Sequence, residues 1–140
     1  MGLKPYYLAD TSAVARIAKP AVGPRLVPLI EAGLVARCGP TDLEAGYAAA
    51  GRSAYRQIRA ARAGWPVAPI DQAILERAIH VQDELAERSQ HRGVAIADLI
   101  IAAAAEAADL VVLHYDADFE TVSDITGQQV EWVAPAGSAD

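Results

Sequence analysis

Residues 94–119 read VAIADLIIAAAAEAADLVVLHYDADF, and this stretch decides the fold. Ile96, Leu99, Ile100 and Ala103 recur at helical spacing, and the alanine run has the strongest intrinsic helix propensity. A turn is expected at Asp109. Leu110 to Leu113 is apolar without alternation, the pattern of a strand covered on both faces in a parallel sheet. Asp98 interrupts the apolar first turn of the helix, and Asp116 and Asp118 follow directly from the strand's carboxyl end. In open α/β sheets that end is where ligands bind.

Working outward, Pro5 to Ala9 reads as a first strand ending at Asp10, followed by a helix from Ala13 that Pro20 stops. A short helix spans residues 24–32, where Pro28 is tolerable only near the first turn, and Gly33 closes it. Residues 34–38 read as the second strand, broken by Gly39-Pro40. Thr41 opens a helix to about Ala50, and a second runs from Ser53 to Ala63. Asp71 caps a long amphipathic helix with Ile74, Leu75, Ala78, Val81 and Leu85 on its apolar face. Beyond Phe119 come a helical turn to about Ile125, Gly127, and a last strand over 130–133.

Strands alternating with helices predict an α/β fold, a central parallel sheet of about four or five strands flanked by helices. The first strand should be central, beside the strand at 110–113. The long helical insertion before residue 94 should form an arm beside the sheet. The 140 residues read as a single domain, with a tail frayed from about residue 134.

A hydrophobic fraction of 53% with 21% charged residues excludes a disordered chain. No apolar run reaches the roughly 18 residues of a membrane span, and the start is too short in apolar core for a signal peptide. A lone cysteine, Cys38, rules out an internal disulfide and fits a reducing cytoplasm. The formal net charge of −6 argues weakly against nucleic-acid binding, unless the acids are concentrated in a metal site.

The acids each have an ordinary structural explanation. Asp10 fits an N-cap, Thr41-x-x-Glu44 a capping box, Asp98 a helix-dipole partner, and Asp118 a cap for the turn at Phe119. Their conjunction carries more weight. Parallel strands put all carboxyl ends, and the helix amino termini, at one edge, so Asp10, Glu44, Asp98, Asp116 and Asp118 should gather there. Such a cluster repels itself unless a cation neutralises it. An all-oxygen site suits Mg²⁺ or Mn²⁺ rather than zinc, and points to metal-assisted phosphodiester chemistry.

The runs YLADTS (residues 7–12), Glu44 early in its helix, ADLIIAAAA (97–105) and LHYDADF (113–119) resemble the PIN-domain ribonucleases, most closely the VapC-type toxins of bacterial toxin–antitoxin pairs. The resemblance covers about residues 6–133, with four motifs in the family's order. It implies a Mg²⁺- or Mn²⁺-dependent endoribonuclease, usually a homodimer, held inactive by a small cognate antitoxin. Metal-activated water would hydrolyse the RNA phosphodiester, leaving a 3′-hydroxyl and a 5′-phosphate. Carried over by position, Asp10, Glu44, Asp98 and Asp116 are the catalytic acids, and Asp10, Asp98, Asp116 and Asp118 the metal ligands. Thr11 and Ser12 support the site.

Arg52, Arg56, Arg59 and Arg62 form a helical stripe suited to RNA phosphates, to an acidic partner, or simply to solvent. Tyr47 and Tyr55 lie near it. His114 is a candidate for supporting Asp116. A non-catalytic acidic pocket or signalling module is the alternative reading. A phospho-accepting receiver domain, however, wants a lysine at the end of a late strand, and Lys4 and Lys19 both precede residue 20.

Overall fold

The computed structural model describes residues 4–140. In chain order the elements are β1 (Tyr7–Ala9), α1 (Thr11–Val14), α2 (Gly23–Glu31), β2 (Val35–Ala36), α3 (Gly39–Tyr47) and α4 (Arg52–Arg62). They continue with α5 (Gln72–Glu87), α6 (Ile96–Ala107), β3 (Val111–His114), α7 (Asp118–Thr126) and β4 (Val130–Trp132). Four strands form one parallel sheet in the order β2-β1-β3-β4, which puts β1 beside β3 as expected.

Successive strand residues point to opposite faces, and here they feed two separate cores. Leu8, Ala36 and Val112 pack with α5, α6 and α7 on one face. Tyr7, Ala9, Val35 and Leu113 pack with α1, α2 and the carboxyl-terminal tail on the other. Both faces of β3 are therefore dry, and its four residues are all buried. Asp109 makes the α6–β3 turn at φ 56°, a left-handed conformation that aspartate tolerates better than most residues. Among the described residues, no helix is long and apolar enough to cross a membrane.

Several details depart from the sequence reading. Ile96 is 72% exposed, because α6 begins at the rim of the fold, and burial starts within the first turn at Asp98 and Leu99. Helix α3 starts at Gly39, before Thr41. Pro40 has no N–H to lose in a first turn, so the Gly-Pro pair opens the helix, and β2 already ends at Ala36. Pro28 sits in the interior of α2, leaving the Pro24 carbonyl without its helical partner.

The tail is packed, not frayed. Ala134 and Ala139 are buried. The Tyr115 hydroxyl accepts the Ala139 N–H at 2.9 Å and donates to Asp140 Oδ1 at 2.8 Å. Arg16 lies over the Tyr115 ring at 4.5 Å and donates from Nε to the Ala139 carbonyl at 3.1 Å.

Candidate metal centre

The carboxyl ends of the two central strands deliver the first acids. Asp10 follows β1 in an extended conformation and caps α1, its Oδ2 accepting from the Ser12 amide at 3.0 Å. The Ser12 hydroxyl donates to the same oxygen at 2.6 Å and accepts the Tyr115 N–H at 2.9 Å. Ser12 thus ties the end of β1 to the end of β3. The capping role expected of Asp10 is real, yet it occupies only one carboxylate oxygen in the structure.

After β3 the chain is held by local hydrogen bonds. His114 is fully buried between Phe119 and Trp132. Its Nδ1 accepts the Asp116 N–H at 3.1 Å, so its Nε2 carries the proton that meets Glu120 Oε1 at 3.2 Å. Burial holds the imidazole below its ordinary pKa, against the pull of Glu120 and the nearby Asp10 and Asp116. Asp116 Oδ1 in turn accepts the Asp118 N–H at 2.9 Å. Asp116, not Asp118, therefore serves the start of α7, and Asp118 lies inside the helix.

Asp98 reaches this edge from the first turn of α6 and is only 6% exposed. Carboxylate oxygens of Asp98, Asp116 and Asp118 all lie within 4.8 Å of one another. Burial first, then the charges of Asp10, Asp116, Glu44 and Asp118, push the Asp98 carboxyl up to about 7. Burial and Asp116 raise Asp118 as well.

Glu44 joins from α3 as a neighbour of α1. Its Oε1 accepts the Thr11 hydroxyl at 2.9 Å. The capping-box explanation for Glu44 fails, because Thr41 serves a different amide. The Thr41 hydroxyl accepts the Cys38 N–H at 3.0 Å and donates to the Cys38 carbonyl at 2.9 Å. With α3 starting at Gly39, Glu44 lies past its capping turn.

The donor set is entirely oxygen, concentrated and mutually repulsive. Asp10 and Glu44 stand outside the tight triad of Asp98, Asp116 and Asp118 but contribute to its field. The raised Asp98 carboxyl reflects its burial together with that repulsion. A hard divalent cation relieves the repulsion and matches these ligands.

Residues 7–125 match the PIN domain. The chain belongs to the PIN-domain family, in its VapC branch. It is 46% identical to Ribonuclease VapC51 of Mycobacterium tuberculosis over 140 residues, covering 100% of both chains. It is also 46% identical to Ribonuclease VapC21 of the same species over 134 residues, covering 95% of this chain and 97% of that one. Among solved structures it resembles VapBC-5 from M. tuberculosis, a member of the VapBC family of toxin–antitoxin systems. There the TM-score is 0.60 at 26% identity, covering 93% of this chain and 99% of that one.

All five acids singled out in the sequence of this VapC-type chain share one edge, with Thr11 and Ser12 bonded to two of them. The arginine stripe divides. Arg62 is 4% exposed, pairs through Nε with Asp42 Oδ1 at 2.9 Å, donates to Thr41 and stacks on Trp65. Its charge is thus engaged within the fold, while its side chain also lines the cleft between α1, α3 and α4. Arg52, Arg56 and Arg59 remain at the surface. The sequence reading missed the bridge from Ser12 to Tyr115 and the tail that clamps Tyr115. Neither has a local signature, since the partners lie 103 and 24 residues apart.

Proposed function

We propose that this chain is the toxin of a toxin–antitoxin pair, an endoribonuclease that hydrolyses RNA phosphodiester bonds with Mg²⁺ or Mn²⁺. The observation that carries the reading is the gathering at one sheet edge of Asp98, Asp116 and Asp118, with oxygens within 4.8 Å of one another, where burial first and then four neighbouring carboxylates raise Asp98 to about 7. A cluster that unfavourable, in a member of a ribonuclease branch, fits a cation site better than a set of helix caps. We assign Asp10, Asp98, Asp116 and Asp118 as ligands, and Asp10, Glu44, Asp98 and Asp116 as the catalytic acids.

When bound, the cation supplies positive charge to the phosphoryl oxygens and acidifies water at the site. The chain's residues do the rest. Asp98 would join the ligand set in its ionised form, together with Asp10, Asp116 and Asp118. Ser12 and His114 fix Asp10 and Asp116 through the hydrogen bonds described above. Glu44, with Oε1 held by Thr11, keeps Oε2 free to take a proton from the attacking water. In-line attack leaves a 5′-phosphate and a 3′-hydroxyl.

The relatives' VapC names and the VapBC family of the solved neighbour support a small cognate antitoxin as partner. An apolar cleft of about 320 Å³ beside Thr11, lined by Val14, Ile17, Ala48, Ile58 and Trp65 among others, offers that partner a seat. We further take residues 1–140 to be one domain, acting in the cytoplasm as a homodimer.

The test is cleavage of single-stranded RNA by purified protein. Cutting with Mg²⁺ or Mn²⁺ that stops with chelator and drops by orders of magnitude in Asp98→Asn or Asp116→Asn is expected. Cutting unaffected by chelator, or wild-type rates in Asp98→Asn, would overturn the assignment.

A further inference from the structure

Glu44 and Tyr47 lie three residues apart on α3, so their side chains are neighbours on one helix face. Glu44 is bound into the acid site through Thr11. Tyr47 is 93% exposed, the most exposed of the large apolar and aromatic side chains described. Facing it across a groove is Tyr55 of α4, 47% exposed.

The groove floor is Gly46. A Cβ there would stand 2.8 Å from the Tyr55 ring, so only glycine lets that ring settle on the α3 backbone. A glycine within a helix is otherwise unfavourable by about 1 kcal/mol against alanine. Two phenol rings therefore line a groove, Tyr55 seated on the Gly46 backbone and Tyr47 open to solvent.

Charge sets the kind of occupant. Helix α4 carries Arg52, Arg56, Arg59 and Arg62 and no acid. The one acid lining the groove, Asp42, is met by Arg37 at 2.6 Å, Arg62 at 2.9 Å and Arg59 at 3.8 Å. Three guanidiniums against one carboxylate leave local positive charge on a chain of formal net charge −6. The mainly apolar cleft suited to a protein segment opens on a different face of the same two helices.

We propose that the Tyr47–Tyr55 groove is a base-stacking subsite for single-stranded RNA, with Arg59 at an adjacent phosphate. It rests on the ribonuclease reading above. Three residues of helix advance only about 4.5 Å along the axis, so a strand whose phosphate sits at the acids brings a neighbouring nucleobase to Tyr47. Aromatic rings accept any base by stacking, whereas guanidiniums follow the backbone.

Two measurements test it. The first is KM and kcat on a mixed-sequence single-stranded RNA. The second is binding of the same RNA carrying 2-aminopurine, read in EDTA by the quenching that stacking causes. Tyr47→Ala should raise KM and the dissociation constant roughly five- to a hundredfold and relieve the quenching, with kcat within about twofold. Tyr47→Phe keeps the π-face and should behave as wild type, and Gly46→Ala, by displacing Tyr55, should fall between them. Wild-type KM and quenching in Tyr47→Ala, while the wild type cuts RNA, would overturn the subsite alone. Quenching that depends on Tyr47 in a protein that cuts nothing would sink the ribonuclease reading and leave the subsite. If Tyr47→Ala weakens only antitoxin binding, the groove is a protein seat and the proposal is wrong.

Discussion

Replacing Asp98 with asparagine should make the cation-free protein more stable above neutral pH, although it removes a candidate catalytic acid. The carboxyl is raised from 3.8 to about 7 in the folded chain. The native state therefore keeps a proton that the unfolded chain has released. Its sign follows from linkage: stability falls as pH rises from about 4 to about 7, then stays level. Three units at about 1.4 kcal/mol each amount to about 4 kcal/mol stored above pH 7. Asparagine keeps the shape and removes the charge, so the apo variant should gain up to that much at pH 8 and almost nothing at pH 4. For a chain of this size that is a rise in Tm of roughly 10 °C. With Mn²⁺ a hundredfold above Kd the wild type should gain about 2.7 kcal/mol, and the variant clearly less. The assay is thermal unfolding from pH 4 to 8, with chelator and with Mn²⁺. An apo variant that is less stable than wild type at pH 8, or that keeps the wild-type pH slope, would refute the electrostatic argument.

Asp42→Asn should lower stability by about 3 kcal/mol, read from the urea midpoint, because it leaves the buried Arg62 charge without its counter-ion. Although burial opposes it, hydrogen bonds from Arg62 and Arg37 hold Asp42 below its ordinary pKa. The wild type should therefore lose this stabilisation as pH falls through the acid range, and the variant should lack that part of the slope. Tyr115→Phe removes the hydroxyl that accepts the Ala139 amide. It should cost about 1 kcal/mol and speed hydrogen exchange at residue 139 while leaving the β-strand amides protected. Thr11→Val should lower kcat without changing the Mn²⁺ affinity much, since it frees Glu44 but leaves the Asp98, Asp116 and Asp118 triad intact.

Where local chemistry and long-range packing agree, the chain can be read directly. The α6–β3 stretch combines alanine propensity, an apolar strand and a turn at Asp109, and each local preference matches the fold. Asp71 accepts the Ile74 amide at 3.0 Å, the cap its position implies. The meeting of the five acids was legible for a topological reason: a parallel sheet sends every strand end to one edge.

What sequence could not resolve depends on partners far along the chain. Arg62 looks like part of a solvated stripe until Asp42, twenty residues earlier, is seen to hold it. Ile96 fits the helical spacing of a core, but spacing does not say that α6 enters the fold at its rim. The tail's small polar composition suggests fraying, and only the Tyr115 hydroxyl and Arg16 explain why it packs. At α3, Gly-Pro reads as a break in the strand and, equally, as the first turn of a helix. The hydrogen bonds of Thr41 decide between them.

The most direct test of the central claim, that these acids form one divalent-cation site, is anomalous diffraction from crystals equilibrated with Mn²⁺. A peak is expected bonded to carboxylate oxygens of Asp98, Asp116 and Asp118 at about 2.0–2.3 Å, facing Asp10 and absent in crystals of Asp98→Asn. A well-ordered acid cluster with no peak at millimolar Mn²⁺, or a peak only elsewhere on the molecule, would contradict it.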